Sequence, residues 1–310
     1  MTSKKLITKD NKLISASYSL GIPEQRIIFL AIIAAREQEK IIDARGVLQI
    51  HASSYQEQFK VEKHSAYKAL KSAGKGLFDA HFEYDDVHEK TGDLVHRIVR
   101  WVQSVAYIDK TGMIELQFTD AVIPLITRLS EQYTEYDLKQ VSELQSEYSI
   151  RLYELMAQWK TVGKTNKITL DDLRKKLGVG TEQYKAMHNF KARVLDLAIK
   201  QINSFTDIQA DYIQHKTGRA VTGFTFTFKQ KKAPEPIAKD DAYIKMTDSQ
   251  IKTFSNKLAA LPELGSNAPT GASTEQFAAI IADDLKDADR QKKYHKHLSK
   301  VGYKPSKSKA

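Results

Sequence analysis

Residues 167–228 contain, in order, the segments KITL (167–170), DDLRKKLG (171–178), FKARVLDLAIKQI (190–202) and VTGFTFTF (221–228). The first has the pattern of a short strand, and the second that of a short helix ended by Gly178, a residue that tolerates positive φ. The third has the apolar period of a longer helix, and the fourth alternates aromatic and threonine residues as a half-buried strand does. Together with a strand at 208–213 and a turn at 216–219, the fourth segment predicts a hairpin.

The same order of elements occurs once more, nearer the N-terminus. The predicted elements there are a helix at 22–38, a strand at 46–50, helices at 53–59 and 65–78, and a hairpin formed by 94–108 and 113–118. A helix at 148–159 opens the second set. Helix, strand, helix, longer helix and hairpin is the winged-helix arrangement, so the sequence predicts an α+β chain with two tandem winged-helix domains. Such domains bind DNA through a helix in the major groove and a hairpin near the phosphates, although they also serve as protein-interaction modules.

Composition changes divide the chain into three predicted parts. The N-terminal winged-helix domain spans residues 1–133, and the second spans residues 134–230. Residues 231–310 form a proline-containing linker, a small helical tail region with helices near 248–261 and 273–297, and a disordered end. That end carries four lysines and no acid from residue 300 onward, which is typical of a disordered segment.

Charge and cysteine content narrow the function classes. The net charge is +10, of which +6 lies in residues 229–310, so a polyanionic partner would be bound by selected faces of the first 228 residues. The absence of cysteine excludes disulfides and thiolate chemistry. The longest apolar run, Ile27 to Ala35, is far below the ~20 residues that cross a bilayer, and the polar N-terminus lacks a signal-peptide core. These features predict a soluble, cytoplasmic protein without a membrane partner.

Basic side chains cluster on the longer helix of each predicted domain. In the second domain they are Lys185, Lys191, Arg193 and Lys200, and the apolar side of that helix comprises Phe190, Val194, Leu197 and Ala198. An apolar side that packs on the domain and an opposite side of long donors predict a DNA-reading helix, because arginine can grip guanine and lysine neutralises phosphate. A basic solvated face is the plainer interpretation.

The hairpin and the first domain add further candidate contacts. Lys216 and Arg219 flank the turn of the second hairpin, where a wing would reach phosphates. Lys68, Lys71 and Lys75 lie at i, i+3 and i+7, so they predict a single basic stripe on the longer helix of the first domain. A stripe of lysines without arginine favours backbone contact, so we expect a secondary DNA surface there.

Motifs for catalysis are weak in this sequence. Gly74-Lys75-Gly76 lies in a helical pattern with no preceding strand and is not a phosphate-binding loop. His295 and His297 point about 200° apart on a helix and do not form a metal pair. No strand, G-x-S-x-G and helix context occurs. The sequence therefore predicts a protein that is not an enzyme and needs no metal or cofactor.

Several short segments, in the same order along residues 5–230, resemble RepB-type plasmid replication initiators. They are KDNKLISASY (9–18), PEQRI (23–27), RWV (100–102), FTD (118–120), IPL (123–125), RLYEL (151–155), LDDLR (170–174), FKARVLD (190–196) and AIKQIN (198–203). The resemblance implies a protein with two winged-helix domains that binds double-stranded DNA at directly repeated origin sequences (iterons). Residues beyond 230 are less characteristic of the family.

The resemblance also implies roles for the candidate residues. The helix with Lys191, Arg193 and Lys200 would read one half of the repeat. The stripe of Lys68, Lys71 and Lys75 would contact the other half, and the first domain would also form the homodimer. Monomers would open the origin, dimers would repress their own gene at an inverted operator repeat, and the host replication initiator and replicative helicase would follow.

Three other functions share some of these features. A winged-helix transcriptional repressor without initiator activity would bind only an operator. A nicking enzyme of rolling-circle replication would need a histidine pair for a metal beside a nucleophilic tyrosine, and the histidine pair is missing here. A protein scaffold would have no DNA affinity at moderate salt.

Overall fold

The computed structural model of the chain describes residues 5–37, 46–127, 132–231, 244–269, 271–298 and 300–303. It consists of two compact units, residues 1–232 and residues 233–310. Both predicted winged helices lie in the first unit, where their apolar residues form one continuous core. No helix within the described ranges is both long enough and apolar enough to cross a bilayer.

The first part of this unit begins with strand β1 and ends with helix α6. Its elements are Leu6–Asp10 (β1), Asn11–Ser15 (α1), Ile22–Glu37 (α2), Leu48–His51 (β2), Ala52–Phe59 (α3), Lys63–Asp79 (α4), His81–Val87 (β3), Leu94–Arg100 (β4), Val102–Ile108 (β5), Met113–Phe118 (β6), Ile123–Ile126 (α5), Tyr133–Asp137 (β7) and Lys139–Ser142 (α6). Helices α2, α3 and α4 with the sheet β2-β6-β5 form the first winged helix.

The second winged helix follows directly. Its elements are Glu147–Ala157 (α7), Ile168–Thr169 (β8), Leu170–Lys176 (α8), Met187–Phe190 (α9), a π-helical segment at Lys191–Asp196, Leu197–Phe205 (α10), Ile208–Thr217 (β9) and Ala220–Gln230 (β10). Its sheet has the order β8-β10-β9, the same as β2-β6-β5 in the first. The prediction of two tandem winged helices is confirmed by this repeated strand order.

The first winged helix contains a hairpin that the sequence patterns did not predict. Strands β3 and β4 pair from His81↔Arg100 to Val87↔Leu94, between helix α4 and the wing strands β5 and β6. The segment at 94–108, predicted as one hairpin arm, is therefore two strands that separate at Trp101. The Trp101 ring is completely buried against Tyr18 and Phe82, with ring centroids 5.2 and 4.7 Å away. The buried Trp101 marks the point at which the chain leaves the β3-β4 sheet and enters the β2-β6-β5 sheet.

Elements outside the two winged helices join them. Strand β1 pairs antiparallel with β7, so the N-terminal segment lies beside the start of the second domain. The side chain of Thr134 on β7 donates to the side-chain oxygen of Asn11, in the segment 9–18, with an oxygen–oxygen distance of 2.7 Å. Gly178, the predicted helix-ending glycine, has a φ of 71°. A Cβ there would lie 2.5 Å from the carbonyl oxygen of Tyr18, so only glycine fits.

A buried ionic cluster lies at the centre of this junction. The Lys9 ammonium is 2.6 Å from Glu154 Oε1, and the Arg151 guanidinium is 2.8 Å from Glu154 Oε2. Arg151 also donates to the backbone carbonyls of Ile14 and Ala16. All three charged side chains are at most 1 % exposed. Burial by itself would raise the pKa of Glu154, but the two cations hold it below its ordinary value.

The second unit has a core of its own. Its elements are Asp248–Ala259 (α11), a 3-10 turn at Pro262–Asn267, Thr274–Asp284 (α12), Ala288–Gln291 (α13), a 3-10 turn at Lys292–Tyr294 and His295–Leu298 (α14). The single helix predicted at 273–297 is interrupted, because the Asp287 side chain accepts from the backbone N–H of Asp289 and of Arg290 and starts a new helix there. Of the predicted disordered end, residues 304–310 lie outside the described residues, whereas Tyr303 is buried in the core.

Candidate nucleic-acid interface

The longest helical segment of the second winged helix comprises residues 187–205 and is the candidate recognition helix, called the recognition helix below. Its buried side consists of Phe190, Val194, Leu195, Ala198 and Ile202, which are all fully buried in the domain. Its solvent side presents Arg193 and Lys200, and neither forms an ion pair within the described part of the chain. The helix therefore packs through one side and leaves long cationic donors on the other.

The π-helical segment corrects one sequence-based assignment. Leu197 was placed on the apolar side of this helix, but it is 40 % exposed, while Leu195 is fully buried. A π-helix has more residues per turn than the 3.6 of an α-helix, so residues after 191 are rotated relative to the predicted face. Segments of this kind occur often at functional sites, and this one contains Arg193.

A tyrosine links the recognition helix to the wing. The Tyr212 hydroxyl on β9 donates to Asp196 Oδ1 across 2.7 Å, and the Lys191 ammonium lies 5.7 Å from the centre of the Tyr212 ring. Burial, with the Asp196 carboxylate beside it, raises the pKa of Tyr212. Lys191 is thus partly covered, and Arg193 is the more accessible of the two.

The wing of the second domain completes a concave surface. A two-residue turn at Gly218 and Arg219 joins β9 and β10, and Gly218 has a φ of 61°. Lys216 and Arg219 of this wing line the same surface basin as Lys191 and Asp196 of the recognition helix. Of the predicted helix contacts, Lys191 therefore lies beside the wing, whereas Arg193 and Lys200 do not line this basin. Lys185 does not line it either, because it lies before the helix and pairs with Glu182 at 2.5 Å.

Arg174 is a positioning residue that the sequence interpretation missed. It belongs to α8, and its guanidinium donates to the carbonyl oxygens of Gly180, Gln183 and Tyr184 in the turn before the recognition helix. The same guanidinium lies 5.2 Å from the centre of the Phe190 ring. The position of Arg174 in α8 did not indicate this role. Its three hydrogen bonds form only when the turn at residues 180–184 packs against α8 in the folded domain. His188 and Gln214 also line the basin and were missed, because the basin brings together residues of the helix and of the wing that are distant in the sequence.

The basic stripe of the first winged helix is exposed as predicted. Lys68, Lys71 and Lys75 lie on the solvent side of α4, and Lys68 and Lys75 form no ion pair among the residues that the structure describes. Lys71 lies 3.6 Å from Asp109 at the tip of the wing, and the Tyr67 hydroxyl donates to the same carboxylate. The first wing is thus attached to its helix through an acidic residue.

Within the described residues, no group of three or more histidine, aspartate and glutamate side chains could hold a metal ion. His96 is the histidine with the most carboxylate neighbours, since it lies 2.9 Å from Asp85 and 3.4 Å from Glu83 on the β3–β4 hairpin. Hydrogen bonding to Asp85 raises the pKa of this exposed imidazole. The arrangement is an ion-pair group on a strand surface.

Comparisons with known proteins agree with this architecture. A family model described as "Initiator Replication protein, WH1" matches residues 6–157, and one described as "Initiator Rep protein, WH2" matches residues 169–228. An "Uncharacterized 27.6 kDa protein" of Escherichia coli is 25 % identical over 245 residues, covering 76 % of this chain and 98 % of the relative. A "Replication initiation protein" of Escherichia coli is 21 % identical over 257 residues, covering 81 % and 78 %.

A solved structure has the same fold. The crystal structure of the Pi initiator protein in complex with iteron DNA covers 75 % of this chain and all of that chain, with a TM-score of 0.60 and 23 % sequence identity. The first family model ends at residue 157 and the second at residue 228, so the second compact unit lies outside both.

Proposed function

The chain belongs to the family of initiator replication proteins with two winged-helix domains, and we propose that it starts plasmid replication by binding iterons in origin DNA. The observation that carries this proposal is the pairing of the recognition helix with a basic wing in the second domain. Apolar residues anchor the helix, Arg193 is exposed on its solvent side, and Lys191 of the helix lines one basin with Lys216 and Arg219 of the wing. A major groove admits such a helix, and phosphates flank it where the wing lies.

Each candidate residue has a chemical role in this proposal. Arg193 reads a base, because guanidinium bonds guanine O6 and N7 in a bidentate way. The lysines and the wing arginine contact phosphates, which places the protein without reading sequence. They are Lys185, Lys191, Lys200, Lys216 and Arg219 in the second domain and Lys68, Lys71 and Lys75 in the first.

Origin opening then needs no bond made or broken by the protein. Several copies bound side by side bend the duplex, and the free energy of protein–DNA contact offsets the cost of unpairing adjacent A·T-rich DNA. We therefore infer that the protein is not an enzyme. It would act in the cytoplasm, where plasmid DNA is replicated, before the host replication initiator and replicative helicase arrive.

The proposal also includes a homodimer that forms through the first domain. The β3–β4 hairpin exposes Val87, Leu94 and Ile98, which are 57, 77 and 66 % accessible. Apolar side chains this exposed on a strand surface are typical of contact regions. A dimer would bind the inverted repeat of an operator and repress the protein's own gene, while monomers would bind the direct repeats.

The decisive experiment measures DNA affinity for two variants at one salt concentration. The probes are a duplex carrying the tandem repeats that flank the gene and a duplex of scrambled sequence. Arg193→Ala should lose about 1–3 kcal/mol on the repeat duplex and much less on the scrambled one. Lys71→Ala is the matched control, and it should weaken both duplexes alike and flatten the salt dependence. Equal losses for Arg193→Ala on both duplexes would contradict the base-reading assignment.

Initiation is separated from simple repression by strand opening. Footprinting with a reagent specific for single strands should show unpaired DNA beside the repeats when the protein is bound. A protein that protects the operator but leaves the origin fully paired would be a winged-helix transcriptional repressor.

A further inference from the structure

The side of the recognition helix that is not packed on the domain carries two rows of residues. The first, the wing row, lines the basin that the helix shares with the wing and includes His188, Lys191 and Asp196. The second, the outer row, is exposed, does not line that basin and consists of Asn189, Arg193 and Leu197. Because residues four apart lie on the same side of a helix, the outer row is one continuous strip.

The position of the wing indicates which row faces the bases. When such a helix lies in the major groove, the wing lies near the phosphates beside that groove. The wing row, whose Lys191 shares a basin with Lys216 and Arg219 of the wing, would therefore contact phosphates. The outer row lies outside that basin, so we expect it to face the floor of the groove, where the base edges are.

The polar groups of the outer row are available for binding. Within the described residues, the Asn189 side chain makes no hydrogen bond and Arg193 makes no ion pair. The one acid among residues 187–205 is Asp196 of the wing row, and its carboxylate accepts a hydrogen bond from Tyr212. The outer row therefore presents an amide and a guanidinium without a carboxylate that would repel DNA.

Leu197 is the apolar member of the outer row. It is 40 % exposed, whereas Leu195, two residues earlier, is fully buried. The π-helical segment Lys191–Asp196 ends directly before Leu197 and places it beside Arg193. An exposed leucine gains stability only when an apolar group covers it. The apolar group that DNA presents in the major groove is the C5-methyl group of thymine.

We propose that Asn189 and Leu197 determine sequence specificity on either side of Arg193, Asn189 by bonding an adenine and Leu197 by contacting a thymine methyl group. An amide has an acceptor oxygen and donor hydrogens, which match N6–H and N7 of adenine. Asn189 lies in the first turn of the recognition helix, where residues of such helices contact base edges. The proposal rests on the proposed function, because it requires the recognition helix to enter the major groove.

The first experiment measures the base preference at each position of the binding site. The full-length protein selects duplexes from a pool of random sequence, and the bound duplexes are sequenced. Asn189→Ala should lose the preference for adenine at one position, a change of about tenfold in relative affinity, and should retain the other preferences. Asn256→Ala is the matched control, because Asn256 is an exposed amide on a helix of the second compact unit.

The second experiment removes one methyl group from the DNA. In the duplex that the wild-type protein selects, each thymine in turn is replaced by uracil, which pairs in the same way but lacks the C5-methyl group. The wild-type protein should bind about fourfold more weakly when one particular thymine is replaced. Leu197→Ala should bind the two duplexes equally. Ile280→Ala, which changes a side chain 42 % exposed in the second compact unit, should retain the fourfold difference.

The outcomes separate this proposal from the proposed function. If Asn189→Ala retains the adenine preference, or weakens binding to every sequence alike, its base assignment is overturned. A Leu197→Ala protein that still distinguishes thymine from uracil overturns the methyl contact. In both cases the proposed function stands, since the wild-type protein still selects a defined sequence. A wild-type protein that selects no sequence would overturn the proposed function and the base contacts together.

Discussion

The two winged helices use the same kind of hydrogen bond between longer helix and wing, with the partners exchanged. In the first, Tyr67 of the helix donates to Asp109 of the wing tip. In the second, Tyr212 of the wing donates to Asp196 of the helix. The first wing tip therefore carries an acid, while the tip of the second carries Arg219, which forms no ion pair within the described residues.

This difference shows that one strand order can serve two electrostatic purposes. The carboxylate of Asp109 lies 3.6 Å from Lys71, which reduces the positive potential of the first domain where its helix and wing meet. Arg193 and Lys200 have no such neighbour within the described residues. The placement of these acids supports our proposal that the second domain reads bases and that the first makes weaker contacts with the DNA backbone.

The largest expected effect is a loss of folding stability when the buried ionic cluster between the two domains is disrupted. Glu154→Ala would leave Lys9 and Arg151 as buried charges without their carboxylate, and removal of one partner from such a buried pair costs about 3–5 kcal/mol. Urea unfolding of the full chain measures this loss. Because the pKa of Glu154 is lowered in the fold, its contribution is present above the ordinary glutamate pKa and is lost as pH falls through the folded value.

Glu182→Ala is the control for that experiment. Its carboxylate pairs with Lys185 at the surface, where it is 82 % exposed, and such pairs contribute about 0–1 kcal/mol. If the two variants unfold at the same urea concentration, the buried cluster does not hold the domains together.

A smaller loss of stability is expected when Gly178, at the junction of the two domains, is replaced by alanine. Gly178→Ala combines a left-handed backbone with a contact of 2.5 Å to the Tyr18 carbonyl. Gly218→Ala at the second wing tip has the same kind of backbone, but its Cβ would meet nothing within 4 Å. The backbone alone costs about 1–2 kcal/mol for alanine, so Gly178→Ala should exceed Gly218→Ala in thermal unfolding. Equal losses would show that the close approach to Tyr18 relaxes freely.

The two wings should differ in how they contribute to DNA binding. Arg219→Ala should weaken binding to every duplex and lower the salt slope by about 0.9, the value for one phosphate contact. Lys110→Ala at the first wing tip should change the slope less, because Asp109 beside it opposes a phosphate. Anisotropy titrations of both variants over a salt series provide the comparison, and a larger effect at Lys110 would reverse our assignment of the two wings.

The smallest effect is a change in the titration of one carboxyl group. The Tyr67 hydroxyl, followed by Lys71, lowers the pKa of Asp109. In Tyr67→Phe the pKa of Asp109 should rise toward its ordinary value, because the hydrogen bond to the charged form is absent. Carboxyl-carbon NMR during a pH titration measures this directly, and an unchanged titration would mean that the hydroxyl does not bond Asp109 in solution.

Much of the architecture follows from local patterns. The two winged helices, the basic stripe of α4 and the helix-ending role of Gly178 were predicted from apolar periods, charge spacing and glycine placement. Several residues that resemble the initiator family are explained by packing. Gln25 is buried and donates to the Leu20 carbonyl, and Arg26 lies 4.5 Å from the centre of the Phe59 ring. These two residues hold α2 in place within the domain. Their presence is explained by packing and not by contact with DNA.

The sequence by itself determined most helices and strands of the two winged helices, because a buried side repeats every 3.6 or 2 residues within one element. It did not predict the β3–β4 hairpin or the new helix that begins after Asp287. Only the tertiary structure decided which charges are neutralised. Lys9 and Glu154 are 145 positions apart, and no local period relates them. The same holds for Tyr67 and Asp109, whose bond requires a folded wing. A π-helical turn likewise moved Leu197 into solvent, since its neighbours in the core set the rotation of that helix.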